Sequence, residues 1–405
     1  MESEITLTMS LKIDASGEMP VAMADSAPDF PQELIINIFS RLQAKSIGKC
    51  RCVSKPWRSL LSDPLFIKAH LSLHLHHPQK HILISISRSP PSSNLSVVTF
   101  TTTSGSSNND GFLEKLTLLQ NQLIFAQIVG SCNGLVLVLT FEGSNTPTMY
   151  LMNPTTRELV KFQPSPLVWD DAETSYGFGY DSSSDDYKIV TLSHDWLLDK
   201  TESYPAFVDV FSWRTGTWRR IGCFPYIPSS HSGVFLNGSI HWLALSKIDG
   251  LCVIIALDMS CEQFQQLPWP ETDNTPHNGG RKLVVLGGCL GMVVVQSRQH
   301  VDVWMMKEYS VGESWTKFIV TTPKNASVWG PICLLGGDDV VLQMGGKNFV
   351  VHNLKERTMR DMVIAGIRDK FRRGVIGFSE SLVSPIFNSQ QWRATLPEDD
   401  FQNSC

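Results

Sequence analysis

The sequence predicts an α + all-β chain, a short N-terminal helical unit followed by a β-propeller, and three observations carry that reading. Helix-spaced apolar residues with capping signals are confined to the region before residue 73. From residue 81 onward, strand-like runs of about four to eight residues alternate with turn clusters, with no long helical stripe. Within that second part, the last three of four glycine turns lie about 50 residues apart, the length of a four-stranded propeller blade.

The composition fits two ordered parts. At 405 residues, 42% hydrophobic and 18% charged, the chain is too long for one ordinary domain and too apolar to stay disordered. A net charge of −5 offers no global basic field for a phosphate backbone, so a dedicated nucleic-acid binder is not expected. No run approaches about 18 consecutive apolar residues and the N-terminus lacks a secretory pattern, so no membrane partner is expected and the cytoplasm and/or nucleus is the expected compartment. The 9 cysteines are odd in number and contain no C-x-x-C pair, which points to reduced thiols rather than disulfides or a zinc module.

Residues 1–28 are small, polar and without hydrophobic period, and read as a disordered arm. Leu34, Ile35, Ile38, Phe39 and Leu42 then mark one helix, with Pro31 at its start and Glu33 in its first turn. Ser46 is the expected cap of a second helix with Ile47, Cys50 and Val53 inside, ending at Pro56. Trp57, Leu60 and Leu61 make a third, and Asp63-Pro64 opens a fourth that runs to about Leu71.

The β part begins at His81–Ile86, with loops expected at Pro90–Asn94 and Thr101–Gly111. Two segments repeat: Val208-Asp209-Val210-Phe211 leads to Trp218-Arg219-Arg220-Ile221, and Val301-Asp302-Val303-Trp304 leads to Trp315-Thr316-Lys317-Phe318. Turn pairs recur at Asn133-Gly134, Asn237-Gly238, Gly287-Gly288 and Gly336-Gly337. Asn237-Gly238, between two apolar runs, is a hairpin signal because both turn residues must take positive φ. This period excludes an immunoglobulin-like sandwich and predicts a kelch-like propeller of about six blades. Trp218, Trp242, Trp304 and Trp315 are expected in blade cores.

The text DFPQELIINIFSRLQAKSIGKCRCVSKPWRSLLSDPLFIKAHL at residues 29–71 resembles an F-box in its plant form. GSCNGLV from Gly130, NPTTRE from Asn153, GFGYDSSSDDYKIV from Gly177, NGSIHWL from Asn237 and SESLVSP from Ser379 resemble the F-box-associated domain of the same plant proteins. The resemblance implies a disordered arm (1–28), an F-box (29–72), a hinge (73–80), a kelch-like F-box-associated propeller (81–390) and a C-terminal tail (391–405). Phe30 and Gln43 depart from the family pattern, and Gln43, standing where a proline is usual, is expected to soften the turn between the first two helices.

The resemblance further implies the substrate-recognition subunit of an SCF (Skp-cullin-F-box) ubiquitin ligase. Its partners are a Skp-type adaptor, through it cullin and a RING subunit, and an unidentified target protein marked for proteasomal degradation. Independently of the family, the helical unit carries more large apolar side chains than its short helices can hide, and exposed apolar patches mark partner sites. Residues 29–71 also hold seven basic and three acidic side chains, a net of +4 that leaves −9 for the rest and favours an acidic partner at the helical end. The adaptor-contact candidates are Pro31, Leu34, Ile35, Ile38, Leu42, Ile47 and Trp57, with burial inside the unit an equal alternative for Trp57.

No catalytic residue, metal site or cofactor is expected. Gly177-Phe178-Gly179 lacks the third glycine of a dinucleotide loop, Gly346-Lys347 lacks a phosphate loop's flanks, and no H-E-x-x-H occurs. The histidines His70, His74, His76, His77 and His81 have no carboxylate or cysteine at ligand spacing and read as a polar hinge. Asp185-Asp186 and Asp338-Asp339 read as turn residues. A propeller that binds glycans, and an F-box scaffold that does not promote degradation, are the alternative functions.

Overall fold

The computed structural model describes residues 32–74, 81–88, 92–100, 111–116, 125–141, 147–169, 172–195, 206–246, 248–270, 280–297, 300–321, 328–336, 338–344, 348–365 and 375–386. The expected N-terminal arm, Pro31, most of the hinge and the C-terminal tail lie outside them.

Four helices form the N-terminal unit: α1 (Gln32–Ser40), α2 (Ala44–Cys50), α3 (Lys55–Leu61) and α4 (Pro64–His74). Two are capped as their sequence dictates. The Ser54 hydroxyl accepts the Trp57 amide at 3.3 Å, and Asp63 Oδ1 accepts the Leu65 and Phe66 amides at 2.8 and 3.3 Å. The second helix departs from expectation. Ser46 lies inside α2, which starts after Gln43 without a side-chain cap. Gln43 has φ −64° and ψ 148°, the backbone a proline would impose, so the turn keeps its shape without the ring. α4 runs three residues beyond the expected Leu71.

The rest is a propeller of six sheets among the described residues, antiparallel apart from the short strand Ile364–Ala365, which pairs in parallel with Gly111–Leu116 of the first blade. Blade 2 runs Phe125–Cys132, Leu135–Phe141, Pro147–Asn153, Glu158–Phe162, and blade 3 runs Ala172–Asp181, Asp186–Asp195, Ala206–Ser212, Thr217–Phe224. In blade 4, Tyr226–Pro228 and Val234–Leu236 both pair with Ser239–Ser246, followed by Cys252–Asp258 and Phe264–Leu267. Blade 5 is Arg281–Leu286, Cys289–Ser297, His300–Met306, Trp315–Thr321, and blade 6 is Val328–Gly336, Asp339–Met344, Asn348–Asn353, Met359–Met362. Blade 1 is composite. His81–Arg88, Ser92–Phe100 and Gly111–Leu116 are its outer strands, and its inner strand, Val375–Phe378, comes from near the C-terminus. That antiparallel pairing closes the ring. Of the expected Pro90–Asn94 loop, Ser92–Asn94 belongs to the strand Ser92–Phe100, and Pro90 and Pro91 lie outside the described residues.

Apolar side chains fill the spaces between adjacent blades. One cluster packs blade 2 (Leu137, Leu151) on blade 3 (Phe178, Trp213), and another packs blade 3 (Val208, Phe224) on blade 4 (Trp242, Ile255). The glycine turns join the first two strands of their blades. Asn133-Gly134 and Asn237-Gly238 have φ of 52° and 80°, and 48° and 75°, as a two-residue turn between right-twisted strands requires. The repeated Val-Asp-Val segments are the third strands of blades 3 and 5. Their buried carboxylates meet fourth-strand cations, Asp209 with Arg220 at 2.8 Å and Asp302 with Lys317 at 3.4 Å. Trp242, Trp304 and Trp315 are buried, whereas Trp218 is only partly so.

Candidate functional site

Helix α1 divides its apolar residues between two faces. Phe39 is buried with Ala44, Ile47, Leu61 and Phe66, and Ile35 and Leu42 pack against that cluster half-covered. Leu34 and Ile38, four residues apart and thus on one side of the helix, are 53% and 58% exposed. Trp57 combines its two readings: it is half-buried, edge-on to Phe39 with ring centroids 4.9 Å apart, and retains open surface. Ile47 has no exposed surface and is a core residue, which removes it from the contact surface of the folded unit. Val53, expected inside, is 66% exposed because α2 ends at Cys50 and the chain turns outward.

Beneath this surface the helical unit is joined to the propeller by residues 379–386. Leu382 is buried in the helical core itself, alongside Ile47, Leu61 and Phe66. Val383 and Ile386 pack instead on the cluster between blades 2 and 3. Asn153 holds this strap, its amide donating to the Ser381 carbonyl at 3.0 Å and the Val383 carbonyl at 2.7 Å. The Trp213 indole donates to the Pro385 carbonyl at 3.0 Å. Gly134 sits so close that a Cβ there would come within 2.5 Å of Ser381 Cβ, and its φ of +80° also excludes most side chains.

Ion pairs bridge the same joint. Lys45 lies 3.7 Å from Glu114 and 3.9 Å from Glu380, and Lys68 pairs with Asp185, whose other oxygen accepts the Tyr180 hydroxyl at 2.5 Å. Such partly exposed pairs each contribute at most about 1 kcal/mol, so they orient the unit while apolar burial anchors it. Two of the seven cations read as attracting an acidic partner are thus turned toward the chain's own propeller. Asp185, read as a turn residue, also serves this contact from a positive φ of 54°. The sequence stretches around Gly134, Asn153, Asp185 and Ser381 therefore converge on one place, a role that spacing along the chain did not signal.

Other buried ionisable groups are committed to structure. Lys188 donates to the Met259 carbonyl at 2.7 Å and pairs with Asp181 and Glu262 at 2.8 and 2.9 Å. His241 meets the Tyr309 hydroxyl at 2.6 Å and the Val234 carbonyl at 3.1 Å, and burial pushes its pKa down to about 4. His70 is buried, and its Nε2–H donates to the Leu42 carbonyl at 2.8 Å. Burial lowers its pKa, which favours the neutral ring. Among the described residues no group of three His, Cys, Asp or Glu is arranged to hold a metal.

Two families match the chain: the F-box domain over residues 28–68 and the F-box associated beta propeller domain over residues 92–389. F-box protein CPR1 of Arabidopsis thaliana is 32% identical over 324 residues, covering 73% of this chain and 74% of that protein. The F-box/kelch-repeat protein At3g23880 of the same plant is 30% identical over 338 residues, covering 78% and 86%. Among solved structures, TolB from Acinetobacter baumannii is similar with a TM-score of 0.47 and 12% identity, over 77% of this chain and 69% of that one. With its helical unit seated on a closed propeller through the matched segments, the chain belongs to the plant-type F-box proteins that carry an F-box-associated β-propeller domain.

Proposed function

We propose that this protein is the substrate receptor of an SCF-type ubiquitin ligase, acting in the cytoplasm and/or nucleus. An F-box in general binds a Skp-type adaptor. The single observation that carries the reading here is the exposed Leu34 and Ile38 pair on one side of α1, with the open edge of Trp57. Large apolar side chains left in water on so small a unit favour a protein partner. The adaptor in turn brings cullin and a RING subunit.

The propeller holds the target, and the protein's share of the reaction is placement. Keeping a target lysine near the charged conjugating enzyme raises effective concentration without any nucleophile or base from this chain. The helical unit rests on the turns of blades 2 and 3 around Asn133, Asn153 and Asp185, which leaves the opposite propeller face for the target. In favour of that face is the blade 4 hairpin tip, where Ile248 is 94% exposed between the partly exposed Leu245 and Leu251.

Affinity capture with proteasomes inhibited tests both ends. Leu34→Glu/Ile38→Glu is expected to lose adaptor and cullin while keeping target peptides, and Ile248→Asp the reverse. Retention of adaptor by the first variant refutes the docking surface. Unchanged target recovery by the second refutes the capture face.

A further inference from the structure

A cleft of about 1050 Å³ opens where α2 and α3 meet the outer turn of blade 2. It gathers cations from both parts of the molecule: Lys49 in the last turn of α2, Lys55 and Arg58 on α3, and Arg157 on the propeller turn. Its two carboxylates are already engaged. Glu114 is shared by Lys45 and Arg157, while Glu158 accepts the Thr156 hydroxyl at 3.0 Å and faces Arg51. Lys49, Lys55 and Arg58 have no anionic partner among the described residues. Arg51 is held by the Leu61 carbonyl at 2.7 and 3.1 Å, and Arg58 adds a second like charge next to it. Like charges gathered in one cleft repel one another and favour an anion between them.

A second, independent feature points the same way. Thr155 is one of the residues lining this cleft, and its hydroxyl oxygen is shielded from water and has no hydrogen-bond partner among the described residues. A buried hydroxyl without a partner is unfavourable, and a ligand oxygen would remove that penalty.

We propose that this cleft is a binding site for a small polyanion carrying at least two phosphate groups. The lysines and Arg58 supply the charge, Arg157 contributes planar donors from the propeller side, and Thr155 donates one neutral hydrogen bond. A single phosphate is too small to span a cleft of this size. A linear or clustered polyphosphate reaches from α3 to the blade 2 turn and ties the two parts together. Such a ligand fixes the angle between the adaptor-docking helices and the propeller. The site does not depend on the ligase reading.

The test uses the full chain with tripolyphosphate as probe, followed by titration calorimetry and thermal unfolding at about 0.15 M salt, with sulfate as the single-anion control. Tripolyphosphate is expected to bind at least tenfold more tightly than sulfate and to raise the unfolding temperature. Lys49→Glu/Arg58→Glu should lower the affinity at least tenfold. Thr155→Val is the sharper variant. It removes an unpartnered hydroxyl, so unliganded stability is expected to hold or rise while the affinity falls several-fold. No binding of tripolyphosphate, binding no tighter than sulfate, or affinity unchanged in either variant overturns the proposal.

Discussion

Leu382→Ala is expected to loosen helices that are almost the whole chain away from it. The side chain is 2% exposed and fills the helical core beside Ile47, Leu61 and Phe66. Leucine-to-alanine changes at such sites cost about 2 to 5 kcal/mol, the larger figures where a sealed cavity remains. Here Leu382 also borders two open clefts of about 1050 and 510 Å³, which lets water and neighbouring side chains reach the vacated space. The lower end, about 2 to 3 kcal/mol, is therefore expected. Four short helices of this size scarcely bury enough surface to stand alone, so the loss should concentrate in them. Hydrogen exchange resolved along the chain measures it: amides of α2, α3 and α4 should exchange on the order of 30- to 100-fold faster, with blades 4 and 5 unchanged. Equal protection of residues 44–74 in variant and wild type would refute the claim that the strap completes the helical core.

Gly134→Ala places a methyl group against Ser381 and 2.8 Å from the Ser379 carbonyl, at a φ of +80°. At least about 1 to 2 kcal/mol should be lost, read as a lower urea midpoint with weaker adaptor capture. His241, whose pKa of about 4 lies below the ordinary 6.5, favours the folded state while neutral. The unfolded chain protonates first on acidification, so stability should fall as pH drops from 6.5 and the loss should be complete below 4, by roughly 3 kcal/mol. Urea midpoints between pH 7 and 4 should show a shallower slope for His241→Gln, and an identical slope would contradict the assignment. Gln43→Pro, at a backbone already shaped for proline, should stabilise the protein by about 0.4 to 1 kcal/mol in the same measurement.

What could be read ahead of the structure was local chemistry. Asn237-Gly238 announces its hairpin because few residues accept two successive positive φ angles, and Asp63 announces a helix start because its side chain replaces a missing backbone partner, whereas the Ser54 cap emerged only in the structure. The six-blade ring followed from the spacing of such turns. The division of α1 into an inner face of Ile35 and Phe39 and an outer face of Leu34 and Ile38 was not legible, since all four sit within one broad apolar stripe. The exchange of roles between Ile47 and Val53 has the same origin, because only the docking of α2 against its neighbours sets where that helix stops. The joint was hidden for a different reason. Asn153 and Ser381 stand 228 positions apart, and no periodicity links a side-chain amide to a distant carbonyl.

The innermost strand of the first blade and the leucine that plugs the helical core both come after the strands of blades 2 to 6 in the chain. During synthesis the N-terminal helices emerge first but lack their final filler until the strands of blades 2 to 6 have been made. A product cut short by a premature stop codon forfeits ring closure and plug together. The architecture therefore couples completion of the helical core to closure of the ring.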